Sequence, residues 1–299
     1  MNQPAAQRSM PQKKTKGPLI GAHMSIAGGT FNAILHAEEA GCACVQLFVK
    51  SSNQWRAKPL TDEEVERFRA ERRRTAIGPA LAHSSYLINI ASPDDALYQQ
   101  SRAALLEEYQ RCDRLGIEYL VFHPGAHKGS GVDAGIARIA RAMDWVFHET
   151  PEAAPMLLLE TTAGAGTHIG STFEELRAIL DALNAAERAA VCLDTCHVFA
   201  AGYDIRTAET YKKTMARFDE VLGLNRLKAI HCNDSKYDFD THKDRHDHLG
   251  QGFIGEAAFG FLMRDPKLIR IPKILETPKD EAGENDQRNL GLLRELAAT

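Results

Sequence analysis

Eight short runs of apolar, β-prone residues recur along the chain, each followed by a polar or glycine-containing turn: 18–25, 43–50, 79–85, 119–125, 156–162, 189–197, 227–234 and 271–278. Stretches such as LVF (120–122), MLLLE (156–160) and AVCLD (190–194) are almost continuously apolar, the pattern of strands covered on both faces. Between them apolar positions recur with a helical period, over 61–74, 94–115, 135–149, 172–187, 207–222 and 285–298. Thr61 stands before the acidic run Asp62, Glu63, Glu64, as an N-cap and first helical turn should. Strand and helix alternate throughout, which predicts a parallel sheet with helical crossovers. Eight such units predict an α/β fold of the (β/α)8 TIM-barrel type, a single domain over 18–299. The polar, basic stretch 1–17 is expected to be a disordered tail. Gly28 and Gly29 open a helix after the first run but lack the spacing of a dinucleotide-binding turn. One connection breaks the rhythm: the segment 235–255 contains YDFDTHKDRHDHLGQG, and polar loops of that length inside a compact domain usually carry function.

Composition adds limits. The 299 residues are 44% hydrophobic and 25% charged, which excludes collagen-like and wholly disordered classes. No apolar run is long enough for a membrane span, and the first residues lack the apolar segment of a secretory signal, so a cytoplasmic location is expected. The six cysteines form no CxxC pair and read as reduced, buried thiols. Alternation along a strand running to residue 197 would put Cys192, Asp194 and Cys196 on one side; the two thiols are assigned to the core. A formal charge of −4 argues against a surface that is basic everywhere, though not against local positive charge from bound metal.

The chemistry lies at the strand ends. His23, His83, His123, Glu160, Asp194, His231 and Glu276 each close one of the runs, and from His83 onward they follow at steps of 34 to 45 residues, one βα unit each. In a barrel such residues converge on the C-terminal face. Burying several carboxylates together is costly without cations. Histidine and carboxylate donors without thiolates suit Zn²⁺, Mn²⁺ or Fe. His197, three residues past Asp194, and Asp244 and His246 on the long loop raise the candidates beyond one ion, to two or three if a carboxylate bridges.

The segments IGAHMSIAGG (20–29), HSSYLINIASP (83–93), FHPGAH (122–127), ETTAGAGTHIG (160–170), CLDTCHVFAAGYD (192–204), HCNDSK (231–236), DRHDHLGQGFIG (244–255) and ILETP (274–278) together resemble the endonuclease IV family of apurinic/apyrimidinic (AP) endonucleases, in order and over nearly the whole chain. The resemblance implies a trinuclear zinc site: His83, His123 and Glu160 on the first ion; Glu160 bridging to a second held by Asp194, His231 and Glu276; His197, Asp244 and His246 on the third. It implies hydrolysis of the phosphodiester 5′ to an abasic site in double-stranded DNA, with a water shared by the first two ions as nucleophile, leaving a 3′-hydroxyl and a 5′-deoxyribose phosphate. Removal of 3′ blocking groups and action as a monomer without a protein partner are further family expectations. Three divalent ions would turn the formal −4 into +2. Tyr86 and Leu87 match the family's strand-3 wedge into DNA. In the strand-2 loop Gln54 and Trp55 match, while Asn53 departs from the pattern, standing where an intercalating arginine is often found. His23 is assigned a place behind the ligands or against the phosphate. His127 and His168 read as loop residues, and His242 and His248 as surface histidines. Lys50, Lys128, Lys236 and Lys243 read as solvated loop lysines, together placed to meet phosphates. The alternatives are a metal-dependent sugar isomerase or epimerase, which would use only Glu160, Asp194, His231 and Glu276, and a catalytically silent DNA- or metal-binding barrel. The first leaves His83, His123, His197, Asp244 and His246 without a purpose; the second would be expected to have lost a ligand.

Overall fold

The computed structural model describes residues 17–280 and 283–299, so nearly all of the expected tail, 1–16, lies outside the described residues. Its strands in chain order are β1 (Ile20–Met24), β2 (Cys44–Phe48), β3 (Ala80–His83), β4 (Tyr119–Phe122), β5 (Met156–Glu160), β6 (Ala189–Asp194), β7 (Leu227–His231), β8 (Asp234–Ser235), β9 (His246–Asp247) and β10 (Lys273–Leu275). Eight of them close into a barrel in the order β1-β10-β7-β6-β5-β4-β3-β2, every pairing parallel. The (β/α)8 expectation is met.

Helices α1 (Asn32–Glu39), α2 (Asp62–Thr75), α3 (Asp95–Leu115), α4 (Val132–Glu149), α5 (Phe173–Asp181), α6 (Thr195–Ala200), α7 (Ala208–Val221), α8 (Glu256–Arg264) and α9 (Glu284–Ala298) follow the strands. The sequence signals for their starts act as anticipated. The Thr61 hydroxyl accepts from the Glu64 amide at 3.1 Å, and Asp94 caps α3 through Leu97 N at 2.7 Å. Helix α5 begins with a reciprocal capping box between Thr172 and Glu175 but ends at Asp181, short of the expected 187.

Two apolar layers hold the barrel. A large one lies between strands and helices; a smaller one fills the barrel interior with Leu19, Cys44, Leu81, Val121, Leu158, Ala190, Cys192, Ala229 and Ile274. This inner plug seals the floor beneath the C-terminal face, so polar groups above it meet solvent from one side only.

Two expectations need correction. Strand β6 stops at Asp194, whose carboxylate caps α6 by accepting from His197 N at 2.9 Å. Cys196 therefore sits on a helix, not on a strand beside Cys192; both thiols are nonetheless buried. The long segment after β7 also contains structure, since β8 and β9 pair antiparallel, Asp234 with Asp247 and Ser235 with His246.

Candidate metal centre

Glu160, at the end of β5, is wholly buried at the centre of the C-terminal face. Its Oε2 lies 3.0 Å from Nε2 of His83, the last residue of β3, and 3.2 Å from Nε2 of His123, the first residue after β4. Its Oε1 lies 2.9 Å from Nδ1 of His231 at the end of β7. The two carboxylate oxygens thus face two different groups of donors. Asp194 and Glu276 complete the second, with Glu276 Oε2 3.1 Å and Asp194 Oδ2 3.8 Å from the same His231 nitrogen.

A third group lies on the far side. His197 Nε2 is 3.2 Å from Asp244 Oδ1, His246 Nε2 is 3.7 Å from that oxygen, and His246 Nε2 is 3.6 Å from Asp194 Oδ2. Donor atoms of His83, His123 and Glu160, of Glu160, Asp194, His231 and Glu276, and of Asp194, His197 and His246 each fall within 4.8 Å of one another. All nine residues expected as ligands meet on this face, with Asp194 closer to the third group than the sequence suggested.

The histidine tautomers are set from behind. Nδ1 of His83 donates to the Ser84 carbonyl at 2.8 Å, Nδ1 of His197 to the Thr161 carbonyl at 2.8 Å, and Nδ1 of His246 to the Glu276 carbonyl at 3.2 Å. A carbonyl can only accept, so each ring keeps its lone pair on Nε2 and turns it toward the carboxylates. A lone pair facing a carboxylate oxygen needs a proton or a cation between them. Nε2 of His197 and of His246 are buried without a hydrogen-bond partner, as atoms shaped for a metal would be.

The electrostatics agree. Burial alone would push the Glu160 and Glu276 carboxyls up and the His197 and His231 rings down. A proton on His231 Nδ1, standing where a cation would, holds both glutamates well below their ordinary range. Asp194 and Asp244 raise His197, while Cys192, Glu276 and Glu160 raise His231. The face is organised to be balanced by positive charge. Its donor set, four carboxylates and five imidazoles, fits zinc.

Several supporting residues escaped the sequence reading. Gln46, buried in β2, accepts from His231 Nε2 at 2.8 Å and donates to Glu276 Oε1 at 2.5 Å. Asn233 donates to Asp194 Oδ2 at 2.7 Å and accepts the Glu276 amide at 2.8 Å. Asp234 accepts from the amides of Ser235, Gly250, Ile254 and Gly255, which folds the segment after β9 onto the barrel. A polar residue in an otherwise apolar run, as in CVQLF (44–48), was the available signal for Gln46.

Residues 34–296 match a family described as xylose isomerase-like TIM barrels. A relative named probable endonuclease 4, from Chloroflexus aurantiacus, is 48% identical over 279 residues, spanning 93% of this chain and 98% of its own length. The crystal structure of endonuclease IV from Thermus thermophilus superposes with a TM-score of 0.84 at 36% identity, over 94% of this chain and 99% of that one. This chain belongs to the endonuclease IV family. A D-tagatose 3-epimerase-like protein, at 14% identity and a TM-score of 0.72 over 93% of this chain and 97% of its own, shares the fold alone.

The loops expected to meet DNA in this endonuclease IV family member surround the same face. Tyr86 is 65% exposed, its ring edge-on to Phe48 at 5.6 Å, and Leu87 is half-buried beside it. Asn53 and Gln54 are exposed, whereas Trp55 packs partly against the core. His23 Nδ1 is 3.1 Å from the Gln46 amide nitrogen and 3.6 Å from Glu276 Oε1. His127 accepts the amides of Gly129 and Gly131, a loop role as expected. His168 and His242 are exposed. His248 is half-buried, with Nδ1 at 3.1 Å from the Asn289 amide nitrogen. Lys128, Lys236 and Lys243 are exposed, but Lys50 is not: its side chain is 2% exposed and lies 3.4 Å from Glu108 Oε1. The expectation of a solvated Lys50 fails because the lysine turns under its loop instead of out of it.

Proposed function

We propose that this protein is a zinc-dependent AP endonuclease of the deoxyribonuclease IV type, which hydrolyses the phosphodiester 5′ to an abasic site in double-stranded DNA and leaves a 3′-hydroxyl and a 5′-deoxyribose phosphate. The same centre would clear 3′ blocking groups, since these too are held on the 3′-oxygen through a phosphate ester. The single observation that carries the reading is the group His197, Asp244 and His246, joined to the Glu160-centred donors through Asp194. A sugar epimerase on this barrel has use for Glu160, Asp194, His231 and Glu276 and none for the rest.

His83, His123 and Glu160 would hold one zinc, Glu160, Asp194, His231 and Glu276 a second, and His197, Asp244 and His246 a third. Bound there, the ions lower the pKa of water toward neutrality and neutralise the charge that gathers on the phosphate oxygens and the leaving 3′-oxygen. The protein's own work is positioning. Glu160 turns one oxygen to each of the first two groups and fixes their separation. Ser84, Thr161 and Glu276 carbonyls hold three imidazoles in the ligating tautomer. His23 accepts the Gln46 amide on Nδ1, so its proton is on Nε2, a buried donor without a partner among the described residues and suited to a phosphate oxygen. An abasic nucleotide lacks a base to pair and stack, so extruding its sugar costs less than flipping an intact one. Tyr86 and Leu87, with Asn53, Gln54 and Trp55 opposite, would fill the gap. The chain would act as a monomer in the cytoplasm, on chromosomal DNA; no described helix is long and apolar enough to cross a membrane.

The test is cleavage of a duplex carrying one central abasic-site analogue by protein as purified, after metal stripping and after zinc is restored, with bound metal counted. The expected result is a cut on the 5′ side that follows zinc occupancy, with about three ions per chain. One ion per chain, an uncut duplex and turnover of a ketose would replace this reading with the epimerase.

A further inference from the structure

Two buried charges take no part in the metal centre. Lys50, two residues past the end of β2, turns its ammonium beneath the β2–α2 loop, donates to the Trp55 carbonyl at 2.9 Å and pairs with Glu108 at 3.4 Å. Glu108 projects from α3 and is 1% exposed. Its other oxygen accepts the backbone amide of Ser85 at 3.1 Å, immediately before Tyr86. The Ser85 hydroxyl donates to the Ser52 carbonyl at 2.6 Å and accepts from Leu87 N at 3.3 Å. One circuit, Trp55–Lys50–Glu108–Ser85–Ser52, therefore ties the β2–α2 loop to the β3–α3 loop. Arg111, one turn further along α3, adds bonds to the Val49 and Lys58 carbonyls at 2.9 Å each.

A buried ion pair is a costly way to gain stability, since apolar residues of the same volume serve as well or better. What it adds here is a fixed geometry between two loops with few other bonds between them. We propose that the buried Lys50–Glu108 pair is a positioning device for damage recognition, which locks the loops carrying Asn53–Trp55 and Tyr86–Leu87 into one preorganised wedge. The inference rests on the proposed AP-endonuclease reading and extends it to two residues that touch neither metal nor DNA. Binding to a preorganised wedge forgoes the entropy of ordering two separate loops, so the pair acts on discrimination between abasic and intact duplex, and not on chemistry.

The experiment uses the zinc-loaded enzyme and two variants that leave the ligands untouched. Glu108→Gln keeps an acceptor for Ser85 but removes the charge, and Ser85→Ala cuts the link to Ser52 while sparing both charges. Affinity for an abasic duplex and for the same duplex intact, turnover at saturating substrate, zinc content and amide hydrogen exchange across 51–58 and 84–88 are measured for each. Both variants are expected to lose about tenfold in affinity for the abasic duplex only, with turnover changed less than about twofold and zinc content unchanged. In Glu108→Gln, which adjoins the second loop, exchange should accelerate in 51–58 as well. A wild type that binds both duplexes alike would overturn the substrate reading and this inference with it. A wild type that discriminates, beside variants that discriminate equally well, would overturn this inference alone, whatever stability they had lost.

Discussion

The carbonyl of Gln46 accepts from His231 Nε2 at 2.8 Å, and that bond decides which His231 nitrogen faces the carboxylates. The amide orientation is not free: the Gln46 nitrogen is 2.5 Å from Glu276 Oε1, and a carboxylate can only accept. With Nε2 protonated, Nδ1 keeps the lone pair, between Glu160 and Glu276. Gln46→Leu removes the tether and leaves His231 and Glu276 free to turn. Zinc affinity at the second group should fall about 10- to 100-fold, the usual effect of losing a bond behind a ligand. Zinc titration of the stripped variant checks this; an unchanged affinity would show that packing alone orients His231.

Glu160 turns its two oxygens to different donor groups, with His83 and His123 on Oε2 and His231 on Oε1. Glu160→Gln keeps the shape and removes the charge that both groups share. Cleavage of an abasic duplex should drop by at least about 10³-fold, while affinity for that duplex falls far less, because the wedge loops are untouched. Single-turnover rates beside equilibrium binding separate the two effects. Near-normal turnover would remove the bridging role.

Tyr86 and Asn53 are both exposed but differently supported. The Tyr86 ring is braced by Phe48 at 5.6 Å and lies 5.7 Å from the His83 ring, so it stands upright at the edge of the metal centre. No hydrogen bond fixes the Asn53 side chain among the described contacts. Stacking of a ring on a base is worth about 1–3 kcal/mol, so Tyr86→Ala should weaken abasic-duplex binding roughly tenfold or more, and Asn53→Ala less. Titration of the two variants against one labelled duplex ranks them. Equal losses would make Asn53 a principal wedge.

The barrel was legible because each strand is an apolar run and each crossover an amphipathic one. The metal centre was legible because a barrel places one ligand per repeat, so His83, His123, Glu160, Asp194, His231 and Glu276 keep step with the fold. What escaped has no such periodicity. Gln46 lies within an apolar strand, and Glu108 shares the buried side of α3 with Leu105, Tyr109 and Cys112. A charge on an apolar helix face is a signal, but its partner Lys50 reads as a loop lysine until the chain is seen to fold over it. Asp194 misled differently: one carboxylate serves both as ligand candidate and as helix cap, so the strand ends three residues earlier than its composition suggests.

Asp234 and Gly252 show how the third group is kept in place. A Cβ on Gly252 would collide with the Ser235 carbonyl oxygen and stand 2.5 Å from Asp234 Oδ1, the oxygen that also binds the Ile254 amide. Neither neighbour can retreat, since one is backbone and the other a buried carboxylate. Gly252→Ala should displace the segment behind Asp244 and His246, costing about 1–3 kcal/mol and loosening the third ion ahead of the other two. Metal counts after graded chelation check the order of loss; a uniform loss of all three would place the damage elsewhere.

Lys273 offers a test of burial at the opposite end of the barrel. It lies in β10 with no exposed surface, its ammonium bonded to the Leu268 carbonyl. Burial pulls its pKa down to about 8, with Cys232 and Cys44 only partly compensating. A lysine depressed in the folded state binds fewer protons there than in the unfolded chain between that value and its ordinary 10.5. The cost of burying it is thus fully present below pH 8 and is relieved as pH rises toward 10.5. Lys273→Met removes the charge and keeps the volume. The variant should be more stable than wild type at pH 7 by about 2 kcal/mol, less the lost bond to Leu268, and the gap should close with rising pH. Denaturant unfolding of the two proteins at about pH 7, 8.5 and 10 reads the difference. A gap independent of pH would mean that Lys273 keeps its proton in the folded barrel as readily as in the unfolded chain, so that burial does not depress it.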